Sequence, residues 1–239
     1  MAKAKEHNMV VVINLFELED GKTYDSSPVI DADGTLLGTT QMVHVADYEC
    51  FYEKSYYAEG NHGAPVYDTA VGKIGVAICY DRHYPEFMRA LGVNGAEVVV
   101  IPQAGTVGEW PDGLYEAELQ VASFHNGYFC ALANRVGKED QMEFAGESVI
   151  TNPEGRVIAQ SPGGVDDILI HDETDLDLAH IIANWTSHPT LPEPIGVIYC
   201  IDKPTYNQEM INQIEAAKKA KGSGNVQGLL NAGDTWIVD

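Results

Sequence analysis

Apolar and small residues alternate over residues 73–78, with Ile74, Val76 and Ile78 set against Gly75 and Ala77. A period of two predicts a buried strand whose two faces differ in bulk. Pro85 then opens a helical run, PEFMRALG, with proline in its first turn and Gly92 where it should end. Cys79 falls in the crease between that strand and that helix. Residues 97–102 are apolar and predict a second buried strand. Apolar residues at Leu114, Ala117, Val121 and Phe124 predict an amphipathic helix over 114–128, and residues 128–133 the strand after it. Upstream, the pattern predicts the end of a helix, a strand at 10–15, and a hairpin over 29–37 turned at Asp33-Gly34. Downstream it predicts a hairpin pairing 147–151 with 156–159 across Asn152-Pro153-Glu154-Gly155. A short strand at 168–171 and a closing helix at 176–183 complete the series. Strands alternating with helices define an α/β class.

A chain of 239 residues has room for a full core. Its formal charge of −22 argues against nucleic acid or an anionic membrane as partner. The cysteines at 50, 79, 130 and 200 have no CxxC spacing, and the histidines form no HExxH, so no metal, no cofactor and no disulfide framework is expected. No apolar run is long enough to span a membrane, and residues 9–16 are too short for a signal peptide, so a cytoplasmic protein is expected. After Asn184 the segment SHPTLPEP reads as a linker. Beyond it, Thr205 and Gln208 form a capping box, apolar positions follow at Tyr206, Met210, Ile214 and Ala217, and lysines close the helix before Gly222. The expected organisation is a domain over 1–183, a linker over 184–193 and a tail over 194–239.

The setting of Cys79 can help a thiol. Backbone N–H groups at a strand-to-helix crease can meet an oxyanion, and a helix N-terminus favours the thiolate. Cys79 is therefore expected to be the most reactive of the thiols. The competing reading is plain core packing, the usual fate of a free cysteine.

The segments VAICYDRHYPE and AEVVVIPQAG together resemble the nucleophile region of the nitrilase superfamily, the carbon–nitrogen hydrolases. FHNGYFCALANRVGKE and EFAGESVITNPEGRVIAQSP resemble later segments of that family in the same order, so the resemblance runs over about 4–183. It implies an α-β-β-α sandwich, Cys79 as nucleophile, and hydrolysis of a small amide or N-carbamoyl compound through a thioester. Glu53, in YEKSYY, matches the family's accessory glutamate. Met42 stands where the family has a lysine, just ahead of His44, for which a structural role is expected. Tyr80, Gln103, Ala104, Gly105 and Trp110 are expected to line the substrate cleft. The family's opening strand-helix-strand, which carries the general-base glutamate, has no counterpart here, and Glu17 and Glu19 do not match it. A core left uncovered in that way is expected to drive homo-oligomer formation. From about Pro192 the tail resembles the C-terminus of a 2-oxoacid:ferredoxin oxidoreductase β subunit. The single Cys200 cannot hold an iron–sulfur cluster, so no oxidoreductase function comes with that likeness.

Two functions follow. One is a thiol amidohydrolase, favoured by the Cys79 region, with Lys54 or Arg82 as candidate stand-ins for the lysine. The other is a catalytically inactive nitrilase-like fusion protein that retains the fold for binding or assembly, favoured by Met42.

Overall fold

The computed structural model describes residues 1–139 and 141–171. The chain divides into two units, Met1–Ile182 and Ala183–Asp239, and the first is described here. The expected closing helix at 176–183, the linker and the tail lie outside the described residues.

A short helix, α1 (Ala2–His7), precedes a four-stranded sheet built from β1 (Val11–Val12), β2 (Leu15–Glu19), β3 (Lys22–Ile30) and β4 (Leu36–Gln41). β3 is central: β1 and β2 pair along one side of it and β4 along the other, all antiparallel. The expected strand at 10–15 is thus two strands, with Ile13 and Asn14 between them. The 29–37 hairpin forms as expected, and Gly34 turns it at φ +87°. A Cβ there would lie 2.9 Å from the Met1 carbonyl oxygen, so glycine also lets α1 pack on this turn.

The second sheet has six strands in the order β12-β11-β8-β7-β6-β5. These are β5 (Val66–Thr69), β6 (Gly72–Val76), β7 (Val98–Gln103), β8 (Phe129–Asn134), β11 (Val149–Thr151) and β12 (Val157–Gln160); a separate hairpin joins β9 (Val136–Lys138) to β10 (Glu143–Ala145). β6, β7 and β8 run parallel, joined through α2 (Pro85–Val93) and α3 (Leu114–Asn126); the outer pairs are antiparallel. The alternation over 73–78 is explained by what covers each face. Gly75 and Ala77 face α2, and a Cβ on Gly75 would lie 3.0 Å from Leu91 Cδ2. Val76 and Ile78 face the other way and pack with Val29 and Met42 from the first sheet. The larger core lies between the six-stranded sheet and its helices, around Leu91, Val99, Ile101, Leu119, Tyr128 and Leu132.

Two further expectations differ from the structure. The buried face of α3 is Leu119 and Ser123, whereas Val121 and Phe124 are exposed. Ser123 Oγ hydrogen-bonds Thr151 Oγ1 on β11 at 2.7 Å, so a polar side chain occupies the buried stripe that hydrophobicity alone would not select. Residues 168–171 form no strand: Ile168 and Ile170 stand exposed, and among the described residues β12 pairs only with β11.

Candidate active site

Strand β6 delivers the chain to Cys79, which begins a tight turn of 3₁₀ helix, Cys79–His83, before α2. Cys79 has φ +48°, in the left-handed region that residues with a Cβ rarely adopt. A backbone held there is over-determined by its surroundings, and such outliers concentrate at functional sites. Here the surroundings are identifiable. The Asp81 carboxylate is fully buried and accepts the backbone N–H groups of Val43 at 3.2 Å, His44 at 2.8 Å and Ile78 at 3.3 Å. It also meets His44 Nδ1 at 2.8 Å, and the imidazole stacks on Tyr84 with ring centroids 3.6 Å apart. One side chain therefore fastens the chain after β4 to the Cys79 turn, and His44 has the structural role expected of it.

Around the thiol, the Ala104 backbone N–H donates to the sulfur, and the charges of Glu53, Arg82 and Asp25 act on it. Burial is the main influence and pushes the Cys79 thiol up to about 12; Glu53 raises it further, while Ala104 and Arg82 pull it down. Between Cys79 and α2 lies the 3₁₀ turn, so Pro85 opens that helix six residues after the thiol. Glu53 is buried at the start of its own 3₁₀ turn, Glu53–Ser55, and accepts the Ala46 N–H at 3.2 Å. Burial lifts its carboxyl to about 7, with the Asp25 and Glu109 charges adding to the shift. Such a group can take and return a proton near neutral pH. Asp25, held by the Asn14 amide at 2.6 Å, is likewise lifted by burial to about 6.

Met42 is buried with Val29, Val76 and Ile78, and Cys79 and Tyr80 pack on that same cluster. The position is thus beside the thiol but supplies no charge. Lys54 is exposed, 3.9 Å from Glu59. Arg82 is buried, with its guanidinium 3.7 Å from Glu118 and stacked over the Tyr115 ring. Of the two candidate stand-ins, Arg82 is the one whose charge reaches the thiol.

Of the residues expected to line the cleft, Gln103 ends β7 and Ala104 and Gly105 follow it. Asn134 holds this loop by accepting the Gly105 N–H at 2.7 Å and donating to the carbonyls of Gly105 and Gly146. A Cβ on Gly105 would lie 2.3 Å from Gln103 Nε2 and 2.4 Å from the Tyr115 hydroxyl, so a larger residue there would displace the ends of both side chains. Trp110 packs on His83 with centroids 4.8 Å apart, and Tyr80 lies 5.0 Å from the same ring. Sequence reasoning left out Asp81, Asn134, Asp25, Glu109 and Tyr48. Asp81 had a local signal, a carboxylate near the start of a helical turn. Asn134 had a weaker one, an amide ending a buried strand. Glu109 and Asp25 had none, because only the tertiary fold brings them to Cys79.

Among the described residues no group of three or more histidine, cysteine or acidic side chains is placed to hold a metal ion. No helix among them is long and apolar enough to cross a membrane.

Parallel strands crossing through helices and two packed sheets make an α/β fold of the nitrilase type. The carbon-nitrogen hydrolase family profile matches residues 1–182, and the chain belongs to that family. It is 40% identical over 139 residues to a beta-ureidopropionase of Arabidopsis thaliana, covering 57% of this chain and 34% of that protein. It is 35% identical over 189 residues to an N-carbamoylputrescine amidase of Solanum tuberosum, covering 73% of this chain and 62% of that one. The chain therefore spans about a third to three-fifths of the length of these relatives. Among solved structures it is similar to a carbon-nitrogen hydrolase from Helicobacter pylori G27, with TM-score 0.70 and 29% identity over 77% of this chain and 68% of that one.

Proposed function

We propose that the chain hydrolyses a small amide or N-carbamoyl compound, with Cys79 as nucleophile and Glu53 as proton carrier. The observation that carries this reading is the Cys79 turn itself: a strained backbone at the crease, the Ala104 N–H on the sulfur and the Glu53 charge beside it. The relatives' activities, on a ureido and a carbamoyl compound, favour the carbamoyl class.

In the first half-reaction the Glu53 carboxylate takes the thiol proton and the sulfur attacks the carbonyl carbon. The C–N bond breaks, ammonia or an amine leaves with the proton from Glu53, and Cys79 retains a thioester from an amide or an S-carbamoyl group from an N-carbamoyl compound. In the second, Glu53 takes a proton from water as the water oxygen attacks that carbonyl; the C–S bond breaks, the carboxylic or carbamic acid leaves, and Glu53 returns the proton to the sulfur. The backbone N–H of Ala104 and the Arg82 guanidinium are the positive groups available to the transient oxyanion.

The test follows ammonia release from N-carbamoyl compounds by the full chain and by Cys79→Ser, with acid-quenched mass spectrometry to locate an adduct. An acyl or carbamoyl group on the Cys79 peptide is expected, with turnover reduced about a thousandfold or more in Cys79→Ser. Turnover that survives the substitution would overturn the assignment. A second reading, a nitrilase-like protein kept for binding or assembly, is favoured by one observation: an uncharged Met42 buried where the family has a lysine. Ureas that bind without forming any adduct would decide for it.

A further inference from the structure

The cleft beside Cys79 carries carboxylates whose hydrogen-bond donors are all neutral. Glu109 accepts the hydroxyls of Tyr48 and Tyr115, the latter at 2.8 Å, and the Thr106 N–H at 2.9 Å. Glu53 is held by a backbone N–H and Asp25 by an amide. Arg82, the cation that acts on the thiol, already faces Glu118 at 3.7 Å, and position 42 supplies no charge. Tyr48 and Tyr115 lie within electrostatic reach of both Glu109 and Cys79, which ties this carboxylate to the reacting group.

The walls around Glu109 are aromatic. The Tyr48 ring lies 5.8 Å from Tyr80 and 6.4 Å from Trp110. Ring faces carry negative potential and attract ammonium groups. A further observation points the same way. Gln103 Oε1 is buried with no donor, on the wall it shares with Gly105 and Tyr115, and an acceptor without a donor suits a ligand N–H. A carboxylate-bearing substrate would instead meet Glu109, Glu53 and Asp25.

We propose that this cleft selects carbamoyl or amide compounds that bear an ammonium group, received by Glu109 between the Tyr48, Tyr80 and Trp110 rings. The inference rests on the cleft assignment made above and names the substrate class of that same site. The bound ammonium also brings to the cleft a positive charge that Met42 does not supply.

The test reads binding separately from turnover. The full chain carrying Cys79→Ala is titrated calorimetrically with three ureas of similar length: N-carbamoylputrescine (cationic), pentylurea (neutral) and δ-ureidovalerate (anionic). The amine is expected to bind about tenfold more tightly than pentylurea, and the carboxylate more weakly still. Adding Glu109→Gln, which keeps the shape, should bring the amine-to-pentylurea ratio close to one, while Glu109→Asp should retain most of it. Equal or tighter binding of pentylurea or δ-ureidovalerate would overturn the proposal, as would a ratio unmoved by Glu109→Gln or no binding by any of the three. Should Glu109→Gln fail to fold, the ratio in Cys79→Ala alone, measured at low and high salt, decides: one that does not fall with salt overturns it. An amine preference without turnover would leave the inference standing and sink the hydrolytic reading; turnover without the preference would do the reverse.

Discussion

A thiol pushed up to about 12 is almost entirely protonated at neutral pH, so Cys79 needs a base or a nearby positive charge to act. Met42→Lys supplies the charge at a position packed on the same cluster as Cys79. The buried ammonium would find Asp25 and Glu53 within the same electrostatic neighbourhood, which offsets part of its desolvation. The pH midpoint for iodoacetamide alkylation of Cys79, read by peptide mapping, is expected to fall by about one to three units in Met42→Lys. Turnover of a neutral urea should rise in parallel, and adding Cys79→Ala should remove the gain. An unchanged midpoint in a folded variant would show that position 42 does not address the thiol. Cys79, Glu53 and Met42 were legible as candidates in the sequence because each sits in a contiguous motif that carries its own register. The effective reactivity of Cys79 was not. It depends on how much of the thiol the fold encloses, and here enclosure is the largest influence on it.

At the scale of elements, the site depends on a joint between the end of β4 and the turn after β6. Asp81→Ala would leave the N–H groups of Val43, His44 and Ile78 without their acceptor in a buried setting. Each orphaned donor costs about 1–3 kcal/mol, so a loss of at least about 3 kcal/mol is expected in urea unfolding, with the slope unchanged. A loss under about 1 kcal/mol would mean that water reaches these groups and that the joint is weaker than its geometry suggests. The sequence showed the elements on either side of this joint but not the joint itself, since Asp81 acts across dozens of residues. The same limit explains α3. Its apolar residues fit one helical stripe, but Ser123 and Thr151 choose another by hydrogen-bonding across the helix–sheet contact. Period predicts that a helix has a face; only the partner decides which face is buried.

For the molecule as a whole, the buried acids set a pH dependence. Asp25 is lifted by burial from 3.8 to about 6 and Glu53 from 4.5 to about 7. Both bind protons more tightly folded than unfolded, so their contribution to stability is fully present below about pH 4 and is lost as pH rises through about 6 to 7. Thermal unfolding followed across that range should show Tm falling towards pH 8, and Glu53→Gln should flatten the fall. A Tm that climbs with pH in the wild type and is indifferent to Glu53→Gln would contradict the burial of these groups. The Asp81 contacts have a mechanical consequence at this scale. They pin the two sheets of the sandwich together at one corner, next to positions 42 and 79. Away from that pin the same two sheets are tied again, by Thr40 Oγ1 and the Tyr67 hydroxyl at 3.2 Å and by the Ala70 N–H donating to the Asp31 carboxylate at 2.9 Å. The registration of the sheets is thus set at several points, and a side chain installed at position 42 is carried to the cluster on which Cys79 packs, whatever its chemistry.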